Sequence, residues 1–206
     1  MPFANYTELQ AEIADWLNRS DLTVQIKTFI ALAEKYLNRN LRCEEQRSIL
    51  PLTITGEYLP LPSNFRLAEN IAMTDADGCE IEYVTPQTFL EKKQIYAPSG
   101  KPRFFTFVGR QMRFAPAPDT TSYEAQLDHY AEVPPLTDAA PTNWLLEKYP
   151  DTYLYGALWY ANQFIRDPDG IAFSLAALTD CVESIRMETE RAKVTTSAKP
   201  RFAAIG

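Results

Sequence analysis

Residues 5–42 run NYTELQAEIADWLNRSDLTVQIKTFIALAEKYLNRNLR and hold two apolar stripes at helical spacing, broken once between them. Asn5 followed by Thr7 and Glu8 has the spacing of a capping box with an Asn cap. Leu9, Ile13, Trp16 and Leu17 then fall at i, i+4, i+7 and i+8, a stripe that faces a core. Ser20-Asp21 is a fresh N-cap signal, so the first helix stops near Asn18-Arg19. The stripe resumes as Leu22, Ile26, Phe29, Ile30, Ala33, Leu37 and Leu41. A connection of about three residues makes the two helices antiparallel neighbours. Between the stripes lie Glu12, Asp15, Lys27, Glu34, Lys35 and Arg39, which read as a solvated or subunit-facing face. A helical hairpin over 1–42 is the frame for the rest.

Helix returns at the other end of the chain. Residues 134–142, with Pro134, Pro135 and Pro141, read as a linker or surface arm, and 143–190 as helices. Asn143 caps a short turn from Trp144 to Lys148, and Pro150-Asp151 opens a strongly apolar helix through Tyr153, Leu154, Ala157, Leu158, Trp159, Phe164 and Ile165. Apolar residues occur almost all round it, so it is covered on several sides. Asp167-Pro168-Asp169-Gly170 reads as a turn, followed by a last helix over about 171–193 with Leu175, Leu178, Val182, Ile185 and Met187 inward. Residues 191–206 hold Arg191, Lys193, Lys199 and Arg201 with no acid and no helical periodicity, which reads either as a frayed, solvated terminus or as an extended basic arm that Phe202 and Ile205 anchor in a partner's groove.

Residues 43–133 have another texture, that of short strands. Ser48–Thr55 and Glu57–Leu61 suggest a hairpin turning near Gly56, with Pro51 and Pro60 restricting it to edge positions. Leu67–Met73 and Cys79–Val84 flank the turn signal at Asp75-Ala76-Asp77-Gly78. Thr85 caps a short helix beginning at Pro86. Arg103–Val108 and Gln111–Ala115 make a second hairpin across Gly109-Arg110, and Tyr123–Glu132 is a last long strand. The predicted fold class is α+β: an antiparallel helical bundle built from both chain ends, a small antiparallel β-sheet or sandwich inserted between them, and an extended C-terminal arm.

The chain has 206 residues, 46% hydrophobic and 23% charged, which is ordinary globular composition. Its 27 Asp+Glu against 20 Lys+Arg give a net charge of −7. The tail takes four of those basic residues, so the body is more acidic still. Such a body argues against a DNA wrapper, because duplex affinity comes from basic contacts to phosphate. Met1-Pro2-Phe3-Ala4-Asn5 has neither a basic nor an apolar leader region, so no signal peptide is expected, and no apolar run is long enough for a membrane span. Cys43, Cys79 and Cys181 are widely spaced and odd in number, which suits reduced thiols rather than a disulfide framework or a zinc site. The sole histidine, His129, lies in the alternating stretch Gln126-Leu127-Asp128-His129-Tyr130 and reads as a strand-surface or interface residue. There is no phosphate-binding glycine loop, H-E-x-x-H or C-x-x-C, so no enzyme activity, no cofactor and no metal are expected.

The order of these features resembles the head-to-tail adaptor proteins of tailed phages. The resemblance runs through Tyr6–Leu22, Ile30–Glu34, Leu37–Arg42, Tyr58–Pro62, Tyr83–Pro86, Gly100–Thr106 and Met112–Pro116. It is strongest at Pro141–Leu146 with Pro150–Leu158. It implies a virion structural protein, assembled in the host cytoplasm, that forms a ring of usually twelve copies beneath the portal protein and above the tail tube or nozzle. It also implies that the C-terminal segment embraces the portal, a role that falls here on Arg191, Lys193, Lys199, Arg201, Phe202 and Ile205.

Acidic residues around the lumen of such a ring would let genome DNA pass without specific binding. Glu12, Asp15, Glu34, Glu44 and Glu45 are the candidates. Two other readings stay open: a nucleic-acid-binding accessory protein that stacks bases on its Trp and Tyr residues, and a cell-wall hydrolase with two carboxylates across a cleft.

Overall fold

The computed structural model describes residues 3–75, 78–119 and 121–197. Among them are six α-helices and two small sheets, a mixed α+β fold. The chain divides into two compact units, one made of residues 1–45 and 133–206 and the other of 46–132.

In the first unit α1 (Tyr6–Leu17) begins where the sequence signals it. Asn5 Oδ1 accepts from the amides of Thr7 and Glu8 at 3.1 and 3.0 Å, and Glu8 returns a carboxylate to the Ala4 amide at 2.7 Å. These contacts satisfy donors that a helix start leaves unpaired. α1 ends at Asn18 in the left-handed region, φ 49°. α2 (Thr23–Asn40) is not capped by Ser20-Asp21 as its sequence suggests. Arg19 takes the Asp21 carboxylate in a two-pronged ion pair at 2.6 Å, and the cap position falls to Leu22, which is buried instead. α4 (Trp144–Lys148), α5 (Pro150–Ile165) and α6 (Pro168–Ser197) complete the unit. Asn143 caps α4 through the Leu146 amide at 2.9 Å.

A single buried cluster takes Leu9 and Ile13 from α1, Ile26, Ile30 and Leu37 from α2, Leu145 and Leu146 from α4, Tyr153, Ala157 and Leu158 from α5, and Leu178, Val182 and Ile185 from α6. Each leucine, isoleucine and valine among them stabilises the fold by about 1.5–3 kcal/mol on burial. The all-round apolar character of α5 has a direct cause, since α5 lies between α2 and α6. A Cβ built on Gly156 would stand 3.0 Å from Ala33 Cβ on one side and 3.7 Å from a Leu178 methyl on the other.

Several expectations for this unit are corrected. Trp16 is not inward: it is 50% exposed, donates its indole N–H to Glu12 at 3.0 Å and meets Tyr155 edge-on. Leu175 and Met187 are exposed as well, because the inward stripe of α6 is Ser174, Leu178, Val182, Ile185 and Thr189. Asp169 and Gly170 form no turn but the first turn of α6, which Pro168 opens with a pre-set φ. The same helix continues to Ser197, so residues 191–197 are helical rather than extended. The proline segment after 133 is no free linker, since Val133 and Leu136 are buried and their amides bond to α2.

The second unit holds β1 (Arg47–Ile54), β2 (Tyr58–Pro60), β3 (Phe65–Met73), β4 (Glu82–Tyr83), α3 (Pro86–Ile95), β5 (Phe104–Val108), β6 (Gln111–Ala115) and β7 (Tyr123–Ala131). One sheet has the order β1-β7-β3 and the other β2-β6-β5-β4. The β5–β6 hairpin pairs as its turn predicts, from Phe104↔Ala115 to Val108↔Gln111. The hairpin expected at Gly56 does not form. β1 instead pairs along its whole length with β7, Arg47↔Tyr130 to Ile54↔Tyr123, while β2 joins β6 in the other sheet. An eight-residue strand satisfies far more backbone against a nine-residue partner than against the three residues of β2. Pro51, which lacks an N–H, is accommodated because β1 is an edge strand.

The sheets are also not wholly antiparallel, since β4 pairs parallel to β5. The predicted strand over Cys79–Val84 is divided between the sheets. Cys79 and Ile81 bond to Met73 and Ile71 of one, and Glu82 and Val84 bond to Arg103 and Phe105 of the other. Between the sheets lies a second core of Leu52, Ile54, Ile71, Met73, Phe105, Met112, Phe114, Ala125 and Leu127. His129 belongs to the inner face of β7 and is only 3% exposed, which corrects its assignment to the strand surface. Its ring stacks on Phe65 at 5.8 Å, and neither ring nitrogen has a hydrogen-bond partner among the described residues.

Candidate functional site

The acidic candidates separate once their surroundings are known. Glu12 is half-buried on α1 and holds the Trp16 indole, and Asp15 is exposed one turn on. Glu44 is exposed in the turn of 3₁₀ helix that follows α2. Glu45, beside it, is half-buried and accepts from Lys148 Nζ, which also lies 3.5 Å from Glu188. Burial pushes the Glu45 carboxyl up, but the Lys148 ammonium outweighs it and holds the group below the ordinary carboxylate range. The same contact holds the Lys148 ammonium well above its ordinary value. Tyr149 on the same turn donates to Glu188 at 2.8 Å, tying α4 to α6.

Glu34 departs most from expectation. It is 6% exposed, faces inward, and cannot be a surface carboxylate of the folded unit. The reason is the segment 133–136, which crosses α2 and covers it. Glu34 Oε1 accepts from the Leu136 amide at 2.7 Å and from the Tyr153 hydroxyl at 3.3 Å. Asn38, one turn on, accepts from the Val133 amide at 2.8 Å. Asn143 completes the group, donating to Tyr153 Oη at 2.7 Å and to the Pro134 carbonyl at 2.6 Å. Burial pushes the Glu34 carboxyl up, against the pull of its hydrogen bonds and of the nearby Lys35 charge. Burial, and then the nearby Glu34 charge, push the Tyr153 phenol up too.

Of the basic arm, only Arg191 has a described side chain, exposed near the end of α6. The side chain of Lys193, and Lys199, Arg201, Phe202 and Ile205 entirely, lie outside the described residues. None of the three cysteines is in a disulfide. The Cys181 thiol is pushed up to about 12 by burial and by Asp151, whose carboxylate lies 3.4 Å from its sulfur, so thiolate chemistry is suppressed there. Among the described residues, no group of three or more His, Cys, Asp or Glu could hold a metal ion.

Two surfaces were not legible in the sequence. In the sheet unit, Leu67, Ala68, Glu69, Tyr83, Phe105 and Phe107 line an apolar groove of about 430 Å³. Its walls come from β3, β4 and β5, so it exists only once the sheets have paired. In the helical unit, Trp16, Tyr155 and Phe173 form a chain of edge-on rings with centroids 6.0 and 6.1 Å apart, carried by α1, α5 and α6. Their helical spacing is equally that of a core stripe, and nothing local marks them as exposed.

What the described residues present is an assembly of charged helix flanks, exposed aromatic rings and an apolar groove. That is the make-up of a protein that works through its surfaces. The chain belongs to the SU10 adaptor protein family, whose model matches residues 4–201. It is thus a phage adaptor protein, a virion component that interacts with other head and tail proteins. No curated protein matches it. No described helix is long and apolar enough to cross a membrane.

Proposed function

We propose that the protein is the head-to-tail adaptor that docks as a ring under the portal protein and joins it to the tail tube or nozzle below. The match to adaptor proteins over residues 4–201 carries this reading. In it the helices of both chain ends act as one bundle, in keeping with their shared core. The ring has about as many copies as the portal above it, usually twelve. Modest contacts repeated at every subunit then sum to a durable joint.

The function is structural, with no reaction and no cofactor. Genome DNA passes through the ring, and the acidic surface keeps phosphate from sticking. Glu12, Asp15, Glu44 and Glu45 are the carboxylates available to the lumen; Glu34 is not, being buried. Portal attachment is assigned to the C-terminal segment, as a helical stem through Arg191 continued by Lys199, Arg201, Phe202 and Ile205. Its apolar anchors and charge contacts must outweigh the freedom that a chain segment gives up on docking.

Co-sedimentation with the portal protein of the same phage tests the assignment. The full chain is expected to travel with the portal, and a chain lacking residues 198–206 is expected to keep its helical content and lose attachment. Equal attachment of both would refute the arm.

A further inference from the structure

The helical unit turns three rings in mutual contact outward. Trp16 of α1 meets Tyr155 of α5 edge-on at 6.0 Å, and Tyr155 meets Phe173 of α6 at 6.1 Å. Trp16 is 50% and Phe173 57% exposed. Each ring has a carboxylate one turn before it on its own helix: Glu12 before Trp16, Asp151 before Tyr155 and Asp169 before Phe173. Glu12 accepts from the Trp16 indole, and Asp151 from the Thr152 amide and the Cys181 thiol, all neutral donors. Among the described residues none of these three acids is paired with a cation. α1, α5 and residues 168–185 of α6 contain no Lys or Arg. The face is therefore apolar in the middle and of one sign around it.

The chain carries a segment of the complementary kind. Residues 198–206, AKPRFAAIG, lie outside the described residues; they hold Lys199 and Arg201, the apolar Phe202 and Ile205, and no Asp or Glu. A phenyl ring and a branched alkyl group bury area against exposed rings, while a guanidinium or ammonium stacks on ring faces and is drawn by carboxylates at their edge. Length decides whose face the segment meets. From Phe173 to Ser197, the last residue of α6, the helix rises about 36 Å at about 1.5 Å per residue. Beyond Ser197 a fully stretched chain, at about 3.6 Å per residue, carries Phe202 about 18 Å and Ile205 about 29 Å. Neither anchor gets back to Phe173 of its own copy.

We propose that, in the free protein, the C-terminal segment of one copy docks on the Trp16–Tyr155–Phe173 face of another. Phe202 and Ile205 lie against the rings, and Lys199 and Arg201 are drawn to Glu12, Asp151 and Asp169. Each copy gives one arm and takes one, a head-to-tail contact. A segment of this length covers less than the roughly 1,200–2,000 Å² of a stable interface, so the association is weak and reversible. Portal attachment, as proposed above, uses the same segment, so the two seats exclude one another: copies cover each other's anchors until a portal takes them. The copy-to-copy contact involves this chain alone and stands whether or not that attachment does.

Two full-length double variants test this by sedimentation velocity, with circular dichroism matching that of the natural chain as the check on folding. Phe202→Ala with Ile205→Ala keeps the face and loses the anchors; Trp16→Ala with Phe173→Ala keeps the anchors and loses the face. The natural chain is expected to associate as its concentration rises, and each variant to do so at least tenfold more weakly. An equimolar mixture of the two is expected to form pairs and stop there, since one working arm and one working face remain per pair. Asp169→Lys, which alters no ring, is expected to weaken association as well, and it serves where a double variant fails to fold. A natural chain that stays monomeric, a folded variant that associates as the natural chain does, or a mixture without pairs would each overturn the proposal. Portal binding separates it from the reading above. The Trp16 and Phe173 variant is expected to attach to the portal at least as well as the natural chain, and weaker attachment would give the face to the portal and overturn the copy-to-copy contact. A natural chain that pairs with itself and ignores the portal would overturn the portal reading alone.

Discussion

Each unit draws a carboxylate out of open solvent, Glu34 buried and Glu57 half-buried, and the two are partnered in opposite ways. In the sheet unit Glu57 is clamped by Lys93 at 2.5 Å and Arg113 at 2.7 Å, with the guanidinium also over the Phe89 and Tyr58 rings. Burial raises the Glu57 carboxyl, but the two cations more than reverse this and bring it below its ordinary value. In the helical unit Glu34 has an amide and a phenol as its hydrogen-bond partners, and its carboxyl is raised, the nearby Lys35 charge being too weak to offset burial. The lesson is that partners, and not burial alone, decide whether an inward acid holds a fold together or opposes it at neutral pH. Glu57 fastens β6 to α3 and to the start of β2, whereas Glu34 gives the 133–136 segment a hydrogen-bond anchor while retaining a charge in a poor solvent.

The largest effect expected on either side of this comparison is at Tyr153, which is fully buried and links Glu34 to Asn143. Tyr153→Ala is expected to cost about 3–5 kcal/mol by denaturant titration, from the cavity and from the loss of one hydrogen bond each by the buried Glu34 and Asn143. Glu57→Gln comes next. It removes the charge that faces two cations, and a loss of about 1–2 kcal/mol at pH 7 is expected. Because folding lowers the Glu57 pKa, its contribution is present above the ordinary carboxylate value of 4.5 and fades as pH falls through the lowered one. The stability gap between the natural chain and this variant should therefore close in acid.

Glu34→Gln carries the opposite sign. Folding raises the Glu34 pKa, so between 4.5 and the raised value the folded chain binds more protons, and stability falls as pH rises. The natural chain is expected to gain on the Gln variant as pH is lowered from 7 towards 4.5, in paired denaturation curves. Parallel curves for the two chains would show that Glu34 is not desolvated. The smallest effect belongs to Trp16. Trp16→Ala, at a half-exposed site, is expected to change stability by no more than about 0.5 kcal/mol. A loss of several kcal/mol would return Trp16 to the core.

Local features were legible in the sequence and distant ones were not. Asn5, Thr85 and Asn143 cap α1, α3 and α4 because the chemistry of a cap lies within three residues. The β5–β6 hairpin was equally readable, with its turn at Gly109-Arg110 in immediate reach. β1 pairs with β7 and not with the adjacent β2, and no residue near Gly56 announces a partner so far along the chain. Glu34 looked solvated since its neighbours on α2 are, and the segment that covers it lies 102 residues away. Trp16 was misplaced for a different reason. Leu9, Ile13, Trp16 and Leu17 make a stripe wider than the face α1 buries, and Trp16 falls on its rim, where the indole can reach Glu12. The apolar groove between β3, β4 and β5 is a product of packing.

Native mass spectrometry of the purified chain, alone and mixed with the portal protein of the same phage, tests the central claim most directly. The account predicts a complex with one copy of this chain for every portal subunit. A portal whose mass is unchanged by saturating amounts of the folded chain would contradict it.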